Sequence, residues 1–301
     1  MGRLTAIVLG SAAGGGFPQW NCRCPVCQLA WAGDSRVRAR TQASLAISAN
    51  GEDWLLINAS PDLSAQLHRA PKLHPRGGPR GSPIKAVLLT GAEIDQVTGL
   101  LSLREREPFT LCGTAATLAV IEDNSVFGVL PREVVRRQTI APGKPVTLPG
   151  GLEAELFVVP GKVALYLEGE NPDTMSEAAG TVGVELSVGD ARLLYIPGAA
   201  AVTPAMRERL ARADVVFFDG TLYRDDEMIA TQTGTKTGRR MGHMSINGPD
   251  GSLAALADIR ARRIYIHINN TNPILVDGSP ERAQVTSQGW EVAEDGMEVV
   301  L

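Results

Sequence analysis

The stretch Ala86-Val87-Leu88-Leu89-Thr90-Gly91-Ala92-Glu93-Ile94-Asp95-Gln96-Val97-Thr98-Gly99-Leu100 runs from an apolar segment through a glycine turn into two carboxylates one residue apart. A short apolar run bounded by turn signals reads as a buried strand, and side chains at a strand end point into the crevice where loops meet ligands. Taken alone, Glu93 and Asp95 equally suit solvated or helix-capping roles. Outward from this stretch, similar runs recur at 4–9, 44–48, 54–58, 153–159, 182–188, 192–196, 215–218 and 264–268. Helical patterns lie between some of them, at 61–69, 114–124, 203–213 and 252–261, with Thr203 and Ser252 read as N-caps. The mixture predicts an α/β fold in one domain spanning 1–301, with surface loops at 71–83 and 168–179.

Three cysteines, Cys22, Cys24 and Cys27, crowd one short segment behind the glycine run Gly10-Ser11-Ala12-Ala13-Gly14-Gly15-Gly16. A disulfide framework requires many paired cysteines in a small secreted chain, whereas here the fourth, Cys112, is remote and sits in an apolar run as a small hydrophobe. A redox pair would use Cys24 and Cys27, but a third thiol at the same tip favours a structural zinc site. Such a site needs a fourth ligand from elsewhere. The glycines match neither a dinucleotide fingerprint nor a phosphate loop, and are read as a turn leading to the cysteine tip.

An apolar fraction of 44%, a charged fraction of 21% and a net charge of −4 describe an ordinary globular chain without a basic face, so nucleic acid is not an expected partner. No segment approaches a membrane span and the N-terminal apolar run is too short for a signal sequence, so a cytoplasmic location is expected. His68 and His74 fall in polar surroundings. His243 follows a Gly- and Thr-rich loop, and His267 ends an apolar strand before Asn269-Asn270-Thr271-Asn272. Each suits a ligand or acid–base role, or a buried structural one. Asp219 emerges from Val215-Val216-Phe217-Phe218 either to cap a turn or to orient His243.

In this order, Thr90-x-x-Glu93-x-Asp95-Gln96-x-x-Gly99, Phe218-Asp219-Gly220-Thr221, Gly242-His243-Met244-Ser245 and His267 resemble the motifs of the metallo-β-lactamase superfamily. The 10–22 stretch, Gly234-Thr235-Lys236-Thr237-Gly238 and Ile266-His267-Ile268-Asn269-Asn270-Thr271-Asn272-Pro273 resemble the coenzyme PQQ synthesis protein B family over nearly the whole chain. The resemblance implies a four-layer αββα sandwich with a metal site at one edge of the sheets. Where the superfamily has His-x-His-x-Asp-His, this chain has Gly91, Glu93, Asp95 and Gln96. The next histidine motif, near Val158-Val159-Pro160-Gly161, and the bridging aspartate, near Ile196-Pro197-Gly198, are also missing. A two-zinc hydrolase is therefore disfavoured.

Glu93, Asp95, His243 and His267 remain as active-site metal ligands, with Asp219 and His243 as catalytic or proton-relaying groups. Two histidines with carboxylate suit non-haem iron(II). In this reading Asp95, His267 and one of Glu93 or His243 bind the metal, Asp219 orients His243, and Gln96 only hydrogen-bonds. The family resemblance implies an iron- and oxygen-dependent hydroxylase acting on the tyrosine of a Glu-Tyr precursor in pyrroloquinoline quinone (PQQ) biosynthesis. The competing assignment is a carrier in transport of PQQ or its precursor to the periplasm. Lys236, Arg239 and Arg240 are either partners for substrate carboxylates or a solvated loop. The resemblance also points to Asn270 as fourth zinc ligand, with a water or Asn272 as alternatives. The assembly state is left open, a homodimer among the options.

Overall fold

The computed structural model describes residues 3–168 and 180–301. One seven-stranded sheet contains β1 (Thr5–Gly10), β2 (Ser44–Ser48), β3 (Trp54–Ile57), β4 (Ile84–Leu88), β5 (Phe109–Gly113), β6 (Val135–Thr139) and β14 (Glu298–Val300), in the order β14-β1-β2-β3-β4-β5-β6. The second, also of seven strands, contains β7 (Val146–Leu148), β8 (Leu152–Val158), β9 (Val182–Val188), β10 (Ala191–Ile196), β11 (Val215–Asp219), β12 (Arg262–Ile266) and β13 (Trp290–Val292), in reverse chain order. Each sheet has an antiparallel half and a parallel half: β3 to β6 run parallel in the first, β10 to β13 in the second.

Alternation along the strands builds the layers. In β11, Phe217 points into the core between the sheets with Leu88, Ile57 and Tyr195, while Val216 and Phe218 face the outer helices. In β4, Ala86 and Leu88 enter that inter-sheet core and Val87 packs outward beside Leu63 and Leu100. Helices thus cover both outer faces, which gives the expected αββα sandwich. Full burial of Phe217 alone stabilises the fold by about 1.5–3 kcal/mol. Among the described residues, no helix is long and apolar enough to cross a membrane.

Local signals hold with small shifts. Thr203 caps Pro204–Leu210 by accepting from Met206 N, and Thr114 caps Ala115–Asp123 in the same way. The helix expected at 252–261 is shorter, Ser252–Ala255, and Gly251 is its N-cap, because the Ser252 hydroxyl is engaged with Tyr265 Oη at 2.8 Å. The loop at 71–83 is largely exposed; most of the second expected loop, 169–179, lies outside the described residues.

The parallel halves decide where chemistry can occur. Asp95 follows β4, Pro197 and Gly198 follow β10, Asp219 ends β11, and His267 follows β12. The carboxyl ends of these strands therefore meet at one edge of the sandwich, where a parallel sheet binds its ligands.

Candidate metal centres

Among the described residues, two groups of metal-ligating side chains gather: Cys22 with Cys24 and Cys27, and Asp219 with His243 and His267. The cysteine group is built locally. Pro25 starts the helix Pro25–Trp31, and the Cys24 thiol caps it by accepting from Cys27 N at 3.4 Å, which folds three sulfurs into one knot. All three are buried and unpaired by disulfides. Burial pushes the Cys24 thiol up to about 12, with charge repulsion from Cys27 and Cys22 adding to it. A cation among the sulfurs removes that penalty.

The side-chain amide of Asn270 lies against the knot. Its Nδ2 lies 3.1 Å from Cys22 Sγ, 3.8 Å from Cys24 Sγ and 3.3 Å from Cys27 Sγ. A tetrahedron with ordinary zinc–sulfur and zinc–oxygen bonds has S···O edges of roughly 3.6 Å, a spacing near that of the amide, which half a turn would present through Oδ1, and of the Asn270 backbone carbonyl, 3.5 Å from Cys24 Sγ and 3.8 Å from Cys27 Sγ. Asn272 is committed elsewhere: its Nδ2 donates to Gly220 O at 2.9 Å and its Oδ1 accepts from Ile274 N at 3.1 Å.

The second group is assembled from distant segments around one carboxylate. Asp219 is fully buried and accepts from Ala199 N at 3.0 Å, Thr221 N at 3.0 Å, Thr221 Oγ1 at 2.6 Å and His243 Nδ1 at 2.7 Å. Burial opposes its ionisation, but the His243 charge and these bonds outweigh it and hold the carboxyl below its usual range. With its proton committed to Asp219, the Thr221 hydroxyl accepts from His267 Nδ1 at 2.9 Å. Both imidazoles are thus anchored through Nδ1, and a metal at Nε2 would take the place of the Nε2 proton that His267 donates to Asp95. The rings stack with centroids 5.3 Å apart and planes 18° apart, so the two Nε2 edges lie side by side.

His267 reaches this position from a left-handed turn, φ +59°, directly after β12. Ile268 fixes the turn by donating to Ser11 O and accepting from Ala13 N, at 3.0 and 2.9 Å. The glycine loop is therefore a brace for His267. Gly220 is needed beneath, since a Cβ there would stand 2.9 Å from Tyr265 Cβ. Across the edge, Asp95 Oδ2 lies 3.0 Å from His267 Nε2. Burial would raise the Asp95 carboxyl, but the His267 hydrogen bond and charge hold it low; burial would lower His267, and Asp95 raises it instead.

Glu93 does not join this group. It stands at the N-cap of the helix Ile94–Val97 while Asp95 lies in the first turn, and residues two apart in a helical turn face different ways. Its carboxylate instead accepts from Leu165 N and pairs with Lys162 Nζ at 3.1 Å. Gln96 Oε1 accepts from Glu93 N at 3.2 Å, the hydrogen-bonding role expected of it. His68 and His74 are exposed. In the sequence Thr221 is only the end of the Phe218-Asp219-Gly220-Thr221 motif and Lys162 carries no signal; their roles appear once the fold brings their partners to them.

Asp95, His243 and His267 line a cavity of about 520 Å³ together with Gly161, Pro197 and Gly198, where the superfamily's remaining ligands are missing. A cavity of this size accommodates a small ligand.

A β-lactamase superfamily domain model matches residues 53–268. Coenzyme PQQ synthesis protein B of Methylorubrum extorquens (strain PA1) is 55% identical over 296 residues, 98% of this chain and 99% of that protein. The crystal structure of zinc-bound PqqB from Methylobacterium extorquens has a TM-score of 0.97 at 54% identity, over 99% of this chain and 100% of that one. A diphosphatase from the PhnP family shares the fold, with a TM-score of 0.70 at 20% identity over 99% and 97% of the two chains. The chain belongs to the coenzyme PQQ synthesis protein B family of the β-lactamase superfamily.

Proposed function

We propose that this protein acts in PQQ synthesis as an iron(II)- and oxygen-dependent hydroxylase of the tyrosine ring of a Glu-Tyr precursor. The supporting observation is the pair of Nδ1-anchored imidazoles beside Asp95 on the wall of an open cavity. Asp95 and Asp219 bring two negative charges to this edge, which a divalent cation would balance once it displaces the Nε2 proton of His267. Asp95, His243 and His267 would hold it. When bound, iron(II) supplies activation of molecular oxygen at positions left open by the protein ligands.

The chain's own residues orient and protect. Asp219 and Thr221 anchor both imidazoles through Nδ1, the glycine loop braces His267, and the cavity receives the ring. Asp219 is a positioning residue in this scheme, and His243 a ligand. The cysteine tip would hold structural zinc through Cys22, Cys24, Cys27 and Asn270, a closed set with no place for substrate.

The test is anaerobic loading with iron(II), then oxygen, a two-electron reductant such as ascorbate, and the dipeptide Glu-Tyr. One oxygen atom enters the ring and the other leaves as water. A product heavier by one oxygen supports the reading; metal-loaded protein that yields none overturns it. The carrier reading instead requires quinone binding that survives His267→Ala and Asp95→Ala.

A further inference from the structure

The cavity has a second, cationic pole. Lys162 and Lys236 line it, and with Arg240 they converge on one carboxylate. Lys162 Nζ lies 2.6 Å from Glu168 Oε1, while Lys236 Nζ and Arg240 Nη1 lie 3.7 and 3.4 Å from Oε2. Lys162 also pairs with Glu93, so three positive charges face two negative ones at this wall. The Glu168 side chain is 7% exposed, whereas those of Lys236 and Arg240 are 39% and 38% exposed. The carboxylate is thus enclosed together with Lys162, 11% exposed, while Lys236 and Arg240 remain reachable. Lys162 holds one oxygen of the Glu168 carboxylate and Arg240 the other.

The site is anchored to the metal pole. Leu165 N donates to the Glu93 carboxylate, and Tyr166 Oη donates to Ala92 O at 2.7 Å, two and three residues before Asp95. Gly242, at φ +84°, lets Lys162 lie against the turn that presents His243: a Cβ there would stand 3.3 Å from Lys162 Cγ. Arg239, grouped with these cations by sequence, faces away to Asp250 at 2.8 Å.

We propose that Lys162, Lys236 and Arg240 form a carboxylate-binding site of the cavity, held in the ligand-free protein by Glu168, and that a ligand carboxylate competes with Glu168 for it. The proposal rests on the reading that the cavity takes a Glu-Tyr-derived molecule, but not on its hydroxylation. Several cations around one carboxylate form charge-assisted contacts that discriminate strongly against a neutral amide.

Equilibrium binding to the zinc-loaded full chain, without turnover, tests it. Three probes are compared: Glu-Tyr, Gln-Tyr, and Glu-Tyr with an amidated C-terminus. One of the neutralised probes is expected to bind about tenfold more weakly than Glu-Tyr, and which one identifies the carboxylate that is read. Lys236→Met and Arg240→Met, at partly exposed positions, should fold normally and each shrink that ratio; together they should abolish it. Glu168→Gln should tighten Glu-Tyr by roughly three- to tenfold, which a purely structural glutamate would not do. Equal binding of all three probes, a ratio that survives the double variant, weaker binding by Glu168→Gln, or no binding of any probe would each overturn the site. Binding ratios as expected without hydroxylation would sink the enzyme reading and leave this one standing.

Discussion

The cysteine tip and the histidine edge are built on opposite plans. At the tip, three sulfurs come from one short segment, are buried, and lie against the Asn270 amide. At the edge, Asp95, His243 and His267 come from separate parts of the chain and face a cavity, the two histidines held from behind by Asp219 and Thr221. A soft, closed set suits a metal that fastens the fold; a harder, open set suits a metal that exchanges ligands. On the proposed reading, folding depends on the first centre and chemistry on the second. They are also neighbours, since only Ile268 and Asn269 separate His267 from Asn270.

The largest contrast is expected in stability. Cys24→Ala or Cys27→Ala should lose zinc and lower the melting temperature by roughly 10 °C or more, read by calorimetry with metal analysis. His267→Ala or Asp95→Ala should keep that zinc, change melting far less, and reduce hydroxylation to background in the assay with Glu-Tyr. If these variants also lose zinc, the two centres are not separable.

An intermediate effect is expected behind the histidines. Thr221→Val removes the acceptor of the His267 Nδ1 proton while keeping side-chain volume, and should weaken metal binding at the edge by about 10–100-fold. Titration with iron(II) under anaerobic conditions measures it, and an unchanged affinity would show that the tautomer is fixed by other means.

The smallest effect concerns the connection between the centres. Thr271, next to Asn270, donates to buried Glu227 at 2.6 Å. Burial, only partly offset by the bonds from Thr271 and from Tyr223 N, raises the Glu227 carboxyl from 4.5 to about 7. The folded state therefore holds this proton where the unfolded chain has released it. The contribution to stability is full below 4.5 and is lost as pH rises through about 7. Glu227→Gln escapes that loss, so its stability relative to the parent should rise by on the order of 1–3 kcal/mol between about pH 5 and pH 8. Denaturant midpoints at the two pH values check it; a constant difference would show that Glu227 does not titrate in this range.

The same contrast governs what was legible in the sequence. The tip could be read directly because its ligands are neighbours along the chain, and central strands such as β11 announce themselves as unbroken apolar runs. The edge strands do not. β6 reads Val135-Arg136-Arg137-Gln138-Thr139, β7, β13 and β14 have three residues each, and none carries a long apolar run. At the histidine edge the residue types were visible but their orientation was not. Glu93 and Asp95 look equivalent in the sequence, and a single helical turn sends one to Lys162 and the other to His267. Thr221 and Glu168 acquire meaning only from partners brought together by the sheet order.

The most direct test is metal analysis of the purified protein after brief chelation and anaerobic addition of iron(II), for the parent chain and for His267→Ala. The two-centre arrangement predicts that both retain one zinc through chelation and that only the parent then takes up one iron. Loss of the zinc together with the second metal, or equal iron uptake by His267→Ala, would contradict it.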